Sequence, residues 1–238
     1  MLGAHAIIAP PLLLASLDVI VLLGALAALW SIERRLPRGR AMLSMVGMVC
    51  LLAAARIVFA AAPNIQPVTV AMLLIGVHLG ARRGFAVGVG TAYASNLVLG
   101  FGLFAPFQAL GWGLCAVAAH HLRGWLSDES GVRIARLAAA GFVAGFGFDL
   151  FVSMYAFIGI GSLTAFATYL LLGLPYDLLH ATGNVVIAAW AGAWFSTLLQ
   201  QRVLPELAID SSGSADAVTG TDDGGAPRIV DGADSVAA

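Results

Sequence analysis

An all-α polytopic membrane bundle is predicted by three features of the chain. Hydrophobic residues make up 60% of it and charged residues only 11%, far more apolar surface than a soluble fold needs. Mean hydropathy is strongly positive. Apolar runs of about 20 residues, the length that crosses a bilayer, recur up to Pro205, and the long polar/apolar alternation that a membrane barrel needs is absent.

Seven spans are expected. The first covers residues 6–30; it lacks a basic region ahead of it and so reads as a retained helix rather than a cleaved signal peptide. It ends at SIERRLPRGR, whose Arg34, Arg35, Arg38 and Arg40 mark a cytoplasmic loop, because short arginine-rich loops stay inside. The second span, 41–61, runs outward to PNIQP, and the third, 67–81, returns to Arg82 and Arg83. Span four (84–99) leads out to GFGLF, and span five (105–122) comes back to Arg123. Span six (136–159) leaves from Arg133 and Arg136, and span seven (175–199) returns to Arg202. The arginines therefore place the chain in the cytoplasmic membrane as a multi-pass protein, N-terminus outside and C-terminus inside. Between Gly161 and Leu174 lies an apolar stretch too short to cross, expected as a half-helix over the outer face, with Pro175 starting the last span.

All twelve basic residues are arginine. From Pro205 onward seven acidic residues face Arg228 alone, a net of −6, so the body keeps eleven arginines against six acids, +5. That Gly/Ser/Asp/Ala-rich tail, 205–238, has too few apolar residues to offset its ordering entropy and is expected to be disordered. Cys50 and Cys115 fall within apolar spans, where small buried hydrophobes are expected rather than a disulfide or metal pair.

Small residues recur at four-residue spacing: Gly84, Gly88 and Ala92; Gly141 and Gly145; Ala189 and Ala193. Such stripes permit close helix approach, within the chain or to a membrane partner. The first stripe is assigned here to partner coupling.

Chemistry is confined to few residues. Asp18, Arg56, Asp149 and Asp177 lie within or at the ends of spans, where a charge costs several kcal/mol and needs a partner or a purpose. Two of Arg56, Asp149 and Asp177 can neutralise each other, the sequence leaving open which pair forms and whether these charges make a structural ion pair or meet a ligand. Asp177, His180 and Asn184, at i, i+3 and i+7 in LPYDLLHATGN, share one helix face within an arc of about 60°, and are read either as ligand contacts or as polar packing. Asn64, Gln66, Asn96, Gln108 and Trp112 gather at expected outer helix ends, with Trp112 as an apolar wall. One His with one Asp is too few ligands for a metal site, and no cofactor is implied. The chain has no nucleophile elbow, zinc-protease motif, Walker sequence or nucleic-acid-binding surface. An enzyme is disfavoured, although a membrane enzyme acting on a lipid or prenyl substrate, and a purely structural subunit, stay open.

The run ARIVFAAAPNIQPVTVAMLLIGVHLGARRGFAVGVGTAYASNLVLGFGLFAPFQALGWGL, with LPYDLLHATGNVV further on, resembles the substrate-binding S components of energy-coupling factor (ECF) vitamin transporters, most of all those associated with cobalamin. The likeness spans about residues 41–200. It implies a six-helix domain over 41–204, preceded by an additional helix and basic loop over 1–40. It also implies an outward pocket for a vitamin-like molecule (cobalamin, riboflavin or another), lined by Arg56, Asn64, Gln66, Asn96, Gln108, Trp112, Asp177, His180 and Asn184. The implied partners are a transmembrane coupling subunit and two ABC ATPases. One departure is plain: the AxxxA coupling motif of the family's first helix is missing between Ala41 and Ala61, where Cys50 and Ala54 form only a degenerate version.

Overall fold

A computed structural model describes residues 11–33, 40–62 and 64–205. The start of the first span, most of the basic loop before residue 40, and the acidic tail after residue 205 lie outside the described residues, and with them the disorder expected of that tail. The described chain is mostly helical. Its α-helices are α1 (Pro11–Glu33), α2 (Arg40–Phe59), α3 (Val68–Leu79), α4 (Ala81–Leu99), α5 (Phe104–His121), a single turn α6 (Arg123–Leu126), α7 (Ile134–Ile160) and α8 (Leu163–Leu198). A π-helical turn, Leu199–Val203, prolongs α8.

Among the described residues, three helices are long and apolar enough to cross a membrane: α2, α7 and α8 with its π turn. The helices α3, α4 and α5 lie at the expected places but fall short of that standard. The helix α3 has 12 residues, about 18 Å at 1.5 Å per residue, against a hydrocarbon core of about 30 Å. It is the inner helix of the bundle. Every residue except Val77 and His78 is buried, and it contacts α4, α5, α7 and α8. Its chain then turns at Gly80, whose φ of 86° suits a residue without Cβ and lets α4 start at once. The outer surface of the bundle is apolar: Trp190 is 84% exposed and Leu172 72%, as side chains meeting lipid would be rather than water.

Two expectations need correction. The stretch 161–174 is not a separate half-helix, because it runs straight into the last span as α8, 36 residues long. Ser162 caps it, its hydroxyl accepting from Ala165 N at 3.4 Å, and the Ala/Leu-rich sequence that follows favours helix. Pro175 sits inside that helix rather than at its start, costing one backbone donor toward Leu171 without ending the helix.

The Gly84/Gly88/Ala92 stripe is likewise not an outward docking face. It packs on α5: a Cβ on Gly84 would lie 2.7 Å from Ala116 Cβ, and one on Gly88 2.8 Å from Gly113 N. Ala92 is fully buried. Only because these residues are small can α4 and α5 approach so closely, so the stripe is used inside the chain.

Cys115 is half-buried as expected of a small hydrophobe, whereas Cys50 is exposed on the outer surface of α2; both are free thiols. Between α6 and α7 a two-residue hairpin, β1 (Ser127–Asp128) with β2 (Gly131–Val132), pairs antiparallel. The Asp128 carboxylate accepts from Ser130 N and Arg133 Nε at 2.9 and 2.7 Å.

Candidate functional site

Several buried and half-buried polar side chains of this bundle form a linked series toward one end of the helices. Arg56, in the last turn of α2, extends its guanidinium toward α4 and α5. Nη1 donates to Ser95 Oγ and to Asn96 Oδ1, each at 2.6 Å, and Nη2 donates to Gln108 Oε1 at 3.1 Å. Asn96 Nδ2 also donates to Gln108 Oε1, at 3.3 Å, and so ties α4 to α5 behind the arginine. Ser95 passes its own proton back to the helix, toward Thr91 O at 2.7 Å.

Trp112 carries the series onward. The Arg56 guanidinium carbon stands 5.0 Å from the centre of the indole ring, within cation–π range. The other contacts of the indole are a stack on Phe148 (centroids 5.0 Å apart, planes 16° apart) and an Nε1–H donated to Thr69 Oγ1 at 3.3 Å. Thr69 Oγ1 in turn lies 3.2 Å from His180 Nε2. His180 Nδ1 approaches Asp149 Oδ1 at 3.0 Å, close enough for an ion pair but off the line of a hydrogen bond, for Nδ1 meets no acceptor in good alignment. The threonine oxygen accepts from Trp112 and keeps its own proton, so toward Nε2 it can donate or accept according to the imidazole tautomer. Asn64 closes the series: its Nδ2 donates to Asp149 Oδ2 at 2.7 Å and to Tyr176 O at 2.8 Å. That residue holds φ 54° in the 60–67 loop, a left-handed position that asparagine tolerates better than most residues.

Each of α2, α3, α4, α5, α7 and α8 thus contributes at least one side chain, and the loop between α2 and α3 contributes Asn64. The helix α1 stands apart; its Asp18 accepts from Tyr93 Oη at 2.6 Å and so fastens α1 to α4.

The structure joins Arg56, Asn64, Asn96, Gln108, Trp112 and His180 among the residues expected from sequence. It leaves Gln66 half-buried, without a hydrogen bond among the described residues. The Asp177–His180–Asn184 face divides. Asp177 is buried without a hydrogen bond or ion pair among the described residues. Asn184 turns into the glycine groove of α7, where a Cβ on Gly141 would lie 3.4 Å from its own Cβ, and neither of its amide atoms finds a partner. Of the two readings left open for these charges, an ion pair of Arg56 with Asp149 or Asp177 does not form among the described residues. The carboxylate of Asp149 is engaged by His180 and Asn64, and the guanidinium by neutral acceptors. Trp112 is not merely an apolar wall but the link between the two halves. Thr69 and Phe148 were missed; the one signal for Thr69 is that it is the sole hydroxyl in the otherwise apolar run VTVAMLLIGV.

The site is closed. Ser95, Asn96, Thr69 and Trp112 have no exposed surface, and the 60–67 loop lies over α7 and α8, with Ile65 packed at Gly183. A separate cavity of about 490 Å³ opens between α5 and α7, lined by Leu114, Cys115, Ala118, Val143 and Phe151. Its lining is apolar and it touches the polar series only at Phe148. No family model, no curated protein and no solved structure matches this chain.

Proposed function

We propose that this chain is the substrate-capture subunit of an ECF-type importer for a vitamin or related micronutrient, a cobalamin-like one being favoured. The six helices α2, α3, α4, α5, α7 and α8 form the capture domain and α1 is an addition to it. One observation carries this reading: a closed series of polar side chains, drawn from each of those six helices, converges at one end of an otherwise apolar bundle. Isolated polar groups are costly in a membrane, and an amphipathic ligand needs a few fixed polar contacts inside an apolar enclosure. The alternation of arginines puts that end outside, opposite Arg82, Arg83, Arg123 and Arg202. Capture requires the closed site to open, and the loop held by Asn64 is the element that would move. The chain carries no nucleotide-binding motif, so energy has to come from a transmembrane coupling subunit and two ATPases. Because the Gly84 stripe is used internally, the coupling subunit would dock on another face.

Binding of labelled cobalamin, riboflavin and a wider vitamin panel to the full chain in nanodiscs tests this. One vitamin should bind saturably, and Gln108→Ala should weaken it by about 5- to 150-fold, the loss of roughly 1–3 kcal/mol expected for one buried contact. Failure of the whole panel to bind, or concentrative uptake by this chain alone in ATP-loaded liposomes without an ion gradient, would overturn the proposal.

A further inference from the structure

Arg56 is the cation of the series, and among the described residues it has no counter-ion. Its guanidinium stays protonated, it is 4% exposed, and among the described residues no carboxylate comes within ion-pair distance of it. Ser95, Asn96 and Gln108 are neutral acceptors; they orient the cation but do not neutralise it. Uncompensated charges inside a bundle are rare because they are costly, so a structural role as a bridge between α2, α4 and α5 leaves the charge itself unexplained. A neutral donor would make that bridge at lower cost.

Counting donors sharpens the point. A guanidinium has five N–H groups, and three of them donate here: two from Nη1 and one from Nη2. Among the described residues the Nε–H has no partner, and Nη2 makes one hydrogen bond, to Gln108. Nε and Nη2 share the edge of the guanidinium that grips two oxygens of a carboxylate or phosphate at once. The neutral acceptors hold the other groups fixed, so this edge is oriented in advance and little freedom is lost when an anion arrives. The indole of Trp112, 5.0 Å from the guanidinium carbon, offers a flat apolar surface next to the same cation.

We infer that Arg56 is the anchor for an anionic group, a carboxylate or a phosphate, on the molecule this bundle holds. The inference rests on the capture reading above and narrows it: the substrate is an amphipathic acid rather than a neutral vitamin. The same chemistry is found in the headgroup of an anionic lipid, and the test separates the two sources.

The full chain is reconstituted in phosphatidylcholine nanodiscs, and its thermal unfolding midpoint is followed with phenylacetate, phenyl phosphate and the neutral isostere phenylacetamide. At least one of the two anions should raise the midpoint while phenylacetamide does not. Arg56→Lys should keep a smaller rise, and Arg56→Met should lose it. The comparison of acid with amide on the unaltered chain stands even if Arg56→Met does not fold. Equal stabilisation by all three compounds, stabilisation by none, or a rise retained in Arg56→Met overturns the inference. If phenylacetamide stabilises as well as the acids and Gln108→Ala abolishes the effect, anion recognition is wrong and capture survives. If phosphatidylglycerol nanodiscs alone raise the midpoint in an Arg56-dependent way, the anion site stands, the headgroup fills it, and capture of a soluble substrate is wrong.

Discussion

Asn64 Nδ2 donates to Asp149 Oδ2 at 2.7 Å, a contact that fastens the loop after α2 to the middle of α7, 85 residues further along the chain. The same amide nitrogen reaches Tyr176 O at 2.8 Å, so one side chain clips the loop to two helices. Asn64 also occupies a left-handed backbone position, φ 54°.

Two substitutions at Asn64 separate these contributions. Both Asn64→Gly and Asn64→Ala remove the clip, and amide hydrogen exchange over residues 60–67 should quicken in each. Alanine adds the cost of a left-handed residue, about 1 kcal/mol, so Asn64→Ala should be the less stable of the two in reversible unfolding. Unchanged exchange in both variants would mean that the loop is held by Ile65 packing rather than by the asparagine.

Trp112 combines stacking, a hydrogen bond and a cation–π contact, and graded substitution can resolve them. Trp112→Phe keeps a ring against Phe148 but loses the bond to Thr69 and weakens the contact with Arg56, for an expected cost of about 1–2 kcal/mol. Trp112→Ala empties a fully buried site and should cost about 3–5 kcal/mol. Denaturant titration in a mild detergent measures both, and equal costs would show that the polar contacts contribute nothing.

Gly88, packed between α4 and α5, and Gly147, in open space on α7, test what glycine contributes to the α4–α5 contact. A Cβ on Gly88 would meet backbone atoms, Gly113 N at 2.8 Å and Trp112 C at 2.9 Å, whereas one on Gly147 meets nothing within 4 Å. Gly88→Ala should therefore destabilise by about 1–3 kcal/mol through overpacking, while Gly147→Ala should be neutral or gain up to about 1 kcal/mol from helix propensity. Thermal unfolding of the two variants side by side decides it.

The β1–β2 hairpin should respond to acid. Hydrogen bonds from the Ser130 hydroxyl, from Arg133 and from Ser130 N hold the Asp128 carboxyl down at about 2, from an ordinary 3.8. A carboxyl depressed in the folded state adds stability that is fully present above its unfolded value and is lost as pH falls through the folded one. The hairpin should therefore stay ordered at pH 5 and loosen between about pH 4 and pH 2. Hydrogen exchange over residues 127–133, corrected for the intrinsic pH dependence, follows this, and Asp128→Asn should flatten the response.

Much of the fold is legible in the sequence because membrane solvation is a blunt constraint: a run that cannot face water must form a helix, and arginines, glycines and prolines interrupt such runs where the chain turns. The ends of α2, α3, α4, α5 and α7 lie within a few residues of expectation for that reason. Boundaries failed where a local signal was ambiguous. Pro175 starts helices as readily as it interrupts them, and only the continuity of α8 on both sides of it shows which happens here.

By itself the sequence determined that this is an apolar helical chain and which few polar residues its bundle must accommodate. Tertiary structure alone decided how they pair. A helix such as α2 carries too few polar residues to form a stripe that reveals which face turns inward, and a helix rotated by one residue moves a side chain through 100°. That rotation brings Arg56 to Ser95, Asn96 and Gln108 instead of to an acid, gives Asp149 to His180 and Asn64, and sets Asn184 against Gly141 and Gly145 of α7. Such pairings span 31 to 85 residues along the chain, and what fixes them is the close packing of small residues such as Gly84, Gly88 and Gly145 between neighbouring helices.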